Sequence, residues 1–176
     1  MQAKADHSAD FRRALAQFAT GVTVVTTRAP DGTPTGLTVN SFASVSLDPP
    51  LVLWCLSLKA DCIAVFRECE RYLIHVLAVD QLDVARRFAT RGADKFGPTA
   101  WRPTDDGLPR LDGCAAWFEC DNRSQYEEGD HVILVGRVEA FQTVGGAPLI
   151  FHNARYVSHL VEQPLPPALR ALGWPG

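Results

Sequence analysis

Five hydroxyl or amide side chains fall within nine residues, Thr38-Val39-Asn40-Ser41-Phe42-Ala43-Ser44-Val45-Ser46, between two apolar segments. A strand–loop–strand of this composition can turn backbone N–H groups and short polar side chains onto one flat ligand that alternates donors and acceptors along an edge. The same composition also describes a Ser/Thr-rich turn whose side chains satisfy their own backbone. The residues by themselves leave both readings open. Lys95, in Asp94-Lys95-Phe96, is a point charge suited to a phosphate, or a solvated loop lysine. His131 follows Gly129-Asp130 at the head of an apolar run. It is either a turn-edge imidazole held by Asp130 or a backbone carbonyl, or a group that faces a ligand.

The other reactive side chains point to less. His75 sits between Ile74 and Val76 and reads as packed or interfacial, while His7 and His159 read as peripheral. No two histidines have metal-ligand spacing with a carboxylate, so no metal site is expected. The five cysteines, Cys55, Cys62, Cys69, Cys114 and Cys120, are odd in number and form no C-x-x-C pair. Neither a disulfide framework nor a zinc site is expected. Cys114 and Cys120 fall on an expected strand as small hydrophobes.

These residues need a scaffold, and the pattern is mostly β. Phe11, Leu15 and Phe18 follow helical spacing from Ser8 to Phe18, with Ser8 as N-cap, and Gly21 ends the segment. The β-branched run Val22–Thr27 reads as a strand. Pro30-Asp31-Gly32 turns it back as a hairpin through Thr35–Val39. Ser44–Leu47 and Leu51–Ser57 are strands around a rigid Asp48-Pro49-Pro50 corner. Helices are expected over Asp61–Glu70 and Gln81–Arg91, with a strand Tyr72–Val79 between them. Gly92–Gly113, rich in Gly, Pro and Asp, reads as a long ordered loop or lid. Long strands follow at Ala115–Tyr126 and His131–Phe141, then a last one near Leu149–Phe151 that leads into His152–Tyr156. With no βαβ rhythm and no G-x-G-x-x-G, a Rossmann site is not expected. The pattern implies one small, mainly β barrel with helical covers over residues 1–163, and a Pro-rich tail over 164–176.

The chain has 176 residues, suited to one core or to one subunit of a tight oligomer. Its 17 basic and 20 acidic side chains leave a net charge of -3, without any basic run. Nucleic acid is therefore not an expected partner. No apolar run approaches membrane-spanning length and no export signal precedes Phe11, so the expectation is a cytoplasmic protein that binds no membrane.

Several fragments, in order, carry a resemblance. They are Phe11-Arg12; Phe18-Ala19-Thr20-Gly21-Val22-Thr23-Val24-Val25-Thr26-Thr27; Asn40-Ser41-Phe42-Ala43-Ser44-Val45-Ser46-Leu47-Asp48-Pro49-Pro50; Arg87-Phe88-Ala89 with Asp94-Lys95-Phe96; Gly129-Asp130-His131; and Pro148-Leu149-Ile150-Phe151-His152. Over Phe11 to Tyr156 the chain resembles the flavin reductase family of two-component monooxygenases. The resemblance implies a split β-barrel of Greek-key, FMN-binding type with flanking helices. It also implies a homodimer with FMN or FAD in a groove near the subunit interface, NADH or NADPH as hydride donor, and a separate monooxygenase served by diffusing reduced flavin.

By resemblance, Thr38, Val39, Asn40, Ser41, Phe42, Ser44, Val45 and Ser46 would contact the isoalloxazine and ribityl chain. Cys55, Leu56 and Ser57 would line the ribityl and phosphate region, and Lys95 and Phe96 would come from the loop after the second helix. His131 would sit beside flavin and nicotinamide, orienting the amide or supplying positive potential. His152, Asn153, Arg155 and Tyr156 would hold the pyridine nucleotide. The transfer itself, from nicotinamide C4 to flavin N5, is cofactor chemistry. One departure stands out. Family members usually carry a Ser or Thr shortly after the strand that ends near Ser57, whereas this chain has Leu58-Lys59-Ala60-Asp61-Cys62. Asp61 would repel a phosphate or else N-cap the next helix, and Lys59 would compensate, so FMN against FAD stays open. Two other readings are a pyridoxamine phosphate oxidase-like enzyme, for which the phosphate-gripping Arg/Lys set is missing, and a flavin-holding sensor that turns nothing over.

Overall fold

The structure, a computed structural model, describes residues 6–158. Helix α1 (Asp6–Leu15) leads to the short strand β1 (Thr20–Gly21), and β2 (Thr23–Arg28) and β3 (Pro34–Val39) form a hairpin. β4 (Ala43–Leu47) and β5 (Pro50–Ser57) form a second hairpin through the Pro49-Pro50 corner. Next come α2 (Ile63–Glu68), β6 (Arg71–Val76), α3 (Leu82–Ala89), β7 (Trp101–Pro103) and β8 (Pro109–Leu111). The long hairpin β9 (Ala116–Glu128) and β10 (His131–Thr143) is followed by β11 (Ile150–His152) and β12 (Arg155–Val157).

The expectation of a mainly β fold is borne out. Seven antiparallel strands run in the order β3-β2-β6-β9-β10-β5-β4 around a core that includes Trp54, Phe66, Tyr72, Ile74 and Leu134. β3 and β4 are the two edges of this sheet, yet they are consecutive in the chain and joined by Asn40-Ser41-Phe42. Leu37, Val39 and Phe42 pack onto the core across the gap. The barrel is therefore split: two facing edges carry peptide groups that no ladder pairs.

A second core forms where β2 turns its other face to α3 and β11, through Val22, Val24, Leu77, Ala85, Phe88 and Leu149. Covered on both faces, β2 is buried along nearly its whole length, which its β-branched sequence suits. α3 lies so close to β3 that a Cβ on Gly36 would meet Phe88 Cε1 and the Val25 carbonyl oxygen, each at 2.9 Å. Gly36→Ala is expected to cost about 2 kcal/mol through overpacking, read as a shifted urea midpoint at unchanged slope.

Several local expectations are corrected. The first helix runs Asp6–Leu15, so Ser8 lies inside its first turn rather than capping it, and Ala16–Phe18 leave the helix. Phe11, Leu15 and Phe18 are 61%, 58% and 77% exposed, so the apolar stripe faces away from the core. Gly21 does not end the helix, which stops at Leu15; Thr20 and Gly21 instead pair with Phe151 and Ile150. The segment Gly92–Gly113 is not all loop: Trp101–Pro103 pairs with Pro109–Leu111. Its partners are remote, because Thr26 Oγ1 donates to the Pro109 carbonyl at 2.6 Å and the Leu111 N–H donates to His75 Nε2 at 3.1 Å. Asp61 does not cap α2; the residue before that helix is Cys62, which makes no side-chain cap bond. The expected tail over 164–176, the boundary at 163 and His159 lie outside the described residues. Among those residues no helix is long and apolar enough to cross a membrane, and no group of three or more His, Cys, Asp or Glu is placed to hold a metal ion.

Candidate functional site

The split in the barrel opens onto two adjoining hollows, and Thr38 lines both. The smaller, about 160 Å³, is bounded by Val22, Thr38, Val39, Asn40, Phe151 and Tyr156. Phe151 and Tyr156 meet edge to face with centroids 5.4 Å apart, a geometry that holds both rings firmly. They belong to the β11–β12 hairpin, whose turn residues Asn153 and Ala154 have φ of 50° and 57°. Two left-handed residues make the tight turn that sends the chain back along itself. The Asn153 N–H also donates to the Ala16 carbonyl at 2.9 Å, tying this hairpin to the end of the first helix.

The larger hollow, about 660 Å³, runs along β3 to α2 and the loop after α3. Lys59, Arg91 and Lys95 line it, with Asp61 and Asp94 as the opposing charges. Arg91 grips the Asp61 carboxylate with two nitrogens, its Nε at 2.7 Å. The position of Lys95 follows from three contacts. Phe96 wedges edge-on against Phe88 and Trp101, with centroids 5.1 and 5.7 Å away. Thr99 Oγ1 donates to the Lys95 carbonyl at 2.6 Å and accepts from Arg87 at 2.9 Å. The Lys95 ammonium donates to the Gly36 carbonyl at 2.9 Å. An ammonium has two more donors than that bond uses. Burial pushes the Cys62 thiol above its ordinary range, against the pull of nearby Lys95.

The polar residues of the Thr38–Ser46 segment divide by task. The Thr38 hydroxyl donates to the Ala85 carbonyl at 2.7 Å, pinning β3 to α3. Ser41 Oγ bridges both backbone groups of Cys55, accepting from its N–H at 2.9 Å and donating to its carbonyl at 3.2 Å. Phe42 stacks at a tilt on Phe118, 5.5 Å away. Asn40, Ser44 and Val45 are exposed and Ser46 half-buried, the last three on the β4 edge. On β5, Leu56 turns into the core at 1% exposure and lines neither hollow. Cys55 and Ser57 are half-buried, and Ser57 Oγ accepts from the Lys59 N–H at 3.3 Å.

His131 begins β10 opposite Ser57, at the far end of β5. Gly129, at φ 61°, makes the two-residue turn between β9 and β10 possible and sends Asp130 and His131 to the strand head. His131 Nδ1 lies 2.7 Å from Asp130 Oδ1. A carboxylate only accepts, so Nδ1 carries the hydrogen and Nε2 is left for other partners. That bond lowers the Asp130 pKa below the ordinary aspartate value. His131 lines neither hollow, and neither do Ser44, Val45 and Ser46. His152 and Tyr156 are half-buried and Arg155 is exposed. Sequence reasoning overlooked Phe151 and Arg91 as lining residues. Phe151 was legible as an aromatic beside His152, whereas Arg91 lies thirty positions from its partner Asp61, with no local signal.

Comparisons with known proteins agree with this arrangement. Residues 15–159 match the family described as flavin reductase like domain. The FMN reductase (NADH) of Agrobacterium fabrum is 44% identical over 86% of this chain and 86% of its own length. The reductase component of the flavin-dependent trigonelline monooxygenase of Acinetobacter baylyi is 42% identical over 84% of this chain, which spans only 47% of that protein. Among solved structures, the NADH:FAD oxidoreductase of Streptomyces globisporus in complex with NAD and FAD fragments superposes with a TM-score of 0.83. It is 33% identical and is matched over 91% of this chain and 97% of that one. From its split barrel, its ordered motifs and these likenesses together, the chain belongs to the flavin reductase like domain family.

Proposed function

We propose that this chain is an NAD(P)H:flavin oxidoreductase that supplies reduced FMN or FAD to a separate monooxygenase. The observation that carries the reading is the joined pair of hollows at the barrel's split. One is a narrow slot with aromatic walls and the other a cleft with three cations, and Thr38 links them. That donor set fits a flat heteroaromatic ring with a phosphorylated side chain. Bound there, the flavin supplies hydride acceptance at N5 from nicotinamide C4.

The protein's own residues bind and orient. Thr38, Val39 and Asn40 border the slot, while Ser41 and Phe42 hold the loop that joins the two sheet edges. The β4 edge presents Ser44, Val45 and Ser46, whose unpaired backbone groups serve a ring edge. Cys55 and Ser57 offer half-buried side chains to the ribityl and phosphate region with Leu56 packed behind them, and Lys95 with Phe96 serves the phosphate end. Tyr156 walls the slot, and the hairpin that carries it brings His152, Asn153 and Arg155 as further groups suited to hold a nicotinamide nucleotide. His131 reaches flavin and nicotinamide in a homodimer, where one subunit's strand head completes the site. Exposed Phe11, Leu15, Phe18, Leu47 and Phe141 supply the apolar surface a dimer would cover. Five free cysteines suit a reducing compartment, and reduced nicotinamide is drawn from the cytoplasm.

The deciding assay follows absorbance at 340 nm with purified protein, NADH or NADPH, and FMN or FAD. Rapid oxidation that depends on added flavin is expected, and none with any pairing would overturn the reading. His131→Ala is expected to slow flavin reduction about tenfold, the worth of one oriented hydrogen bond, with flavin affinity nearly unchanged. Stopped-flow reduction under anaerobic conditions measures it, and a wild-type rate would remove His131 from the site.

A further inference from the structure

We infer that Asp61 is a specificity residue that sets the chain against FMN and in favour of FAD, an inference that rests on the flavin reading above. Lys59, Arg91 and Lys95 face Asp61 and Asp94 in the larger hollow, a formal balance of one positive charge. Asp61 takes most of what Arg91 offers, since both its oxygens are bound by that guanidinium. Asp94 is committed to its own turn, where Oδ1 accepts from the Gly97 N–H at 2.9 Å. The cleft thus presents Lys59 and Lys95 to a phosphate while a carboxylate stands among them.

FMN and FAD differ in the charge they bring to such a place. A phosphate monoester carries about -1.5 to -2 at neutral pH. In FAD the same phosphorus is a diester with a single charge, and the other charge sits on the next phosphorus. By holding Arg91, Asp61 cancels a guanidinium charge from which the concentrated dianion would gain more than the divided one. Two unit charges a few ångströms apart in a half-open cleft change affinity by about tenfold. Riboflavin, which has no phosphate, is indifferent to Asp61. The Asp61 side chain is more than half exposed and caps no helix, so its replacement leaves the fold intact.

The test measures dissociation constants of the full chain for FAD, FMN and riboflavin by quenching of flavin fluorescence, in wild type, Asp61→Asn and Asp61→Ser. Wild type is expected to bind FAD about tenfold more tightly than FMN. Both variants are expected to bring the two within about threefold, chiefly by tightening FMN, with riboflavin unchanged. Equal affinity of wild type for FMN and FAD would overturn the inference. So would a ratio that neither variant moves, or a riboflavin affinity that shifts in step with FMN, which would make Asp61 a merely structural residue. These failures leave flavin reduction standing. Absence of binding or turnover with every flavin would instead fell the proposed function itself.

Discussion

Acidification from pH 6.5 to pH 4 is expected to remove about 3 kcal/mol of folding stability, and His75 is the reason. The imidazole is fully buried between β2 and the β7–β8 hairpin. Its Nδ1 donates to the Val24 carbonyl at 3.0 Å, and its Nε2 accepts the Leu111 N–H at 3.1 Å. Only the neutral ring can do both, because a proton on Nε2 would face another N–H. Burial, with Arg110 nearby, lowers the pKa from 6.5 to about 4. The unfolded chain takes up the proton near pH 6.5 and the folded chain resists until about pH 4. The contribution is therefore complete above pH 6.5 and is lost as pH falls through the window. Asp31, Asp121 and Asp130 are also lowered, from 3.8, so their contributions are lost at lower pH and do not blur the result. Urea denaturation of wild type at pH 7 and 4.5 measures the loss. In His75→Gln, which cannot titrate, the slope between these pH values is expected to flatten even though its stability at pH 7 is lower. An unchanged slope would clear His75.

Lys95→Met is expected to weaken FMN and FAD binding by about 10- to 100-fold, the range of one charge-assisted hydrogen bond of about 1.5–3 kcal/mol. Before any ligand arrives the ammonium is held by the Gly36 carbonyl, and the backbone that carries it by Thr99 and the Phe96 wedge. Little side-chain entropy remains to be lost on binding, which favours the upper part of the range. Met keeps the stem's length and packing, so what is lost is the charge. Calorimetric titration with FMN, FAD and riboflavin separates the outcomes. Riboflavin affinity is expected to stay put, and an equal loss for all three would mean that the variant had disturbed the cleft wall instead.

Both predictions depend on residues whose meaning differs in legibility. His75 lay mid-strand between apolar Ile74 and Val76, so packing was readable, but its two backbone partners come from β2 and from a hairpin read as loop. Three-residue strands with Pro103 facing Pro109 carry no alternating pattern, and contacts remote in sequence, Thr26 and His75 among them, give them a place. The end of the first helix was missed because its apolar stripe kept helical spacing into a turn.

The sequence by itself determined the β character, the hairpins at Pro30-Asp31-Gly32 and Asp48-Pro49-Pro50, and the polar segment that lies across the barrel's split. Those are local matters: β-branched runs, turn residues and side-chain type act over a few positions. Tertiary structure alone decided that β3 and β4 would be opposite edges of one sheet, that Phe151 and Tyr156 would wall the slot, and that Arg91 would reach Asp61. Each joins distant positions whose meeting depends on how the whole sheet curls around Trp54, Phe66 and Tyr72, and no short stretch of chain encodes that.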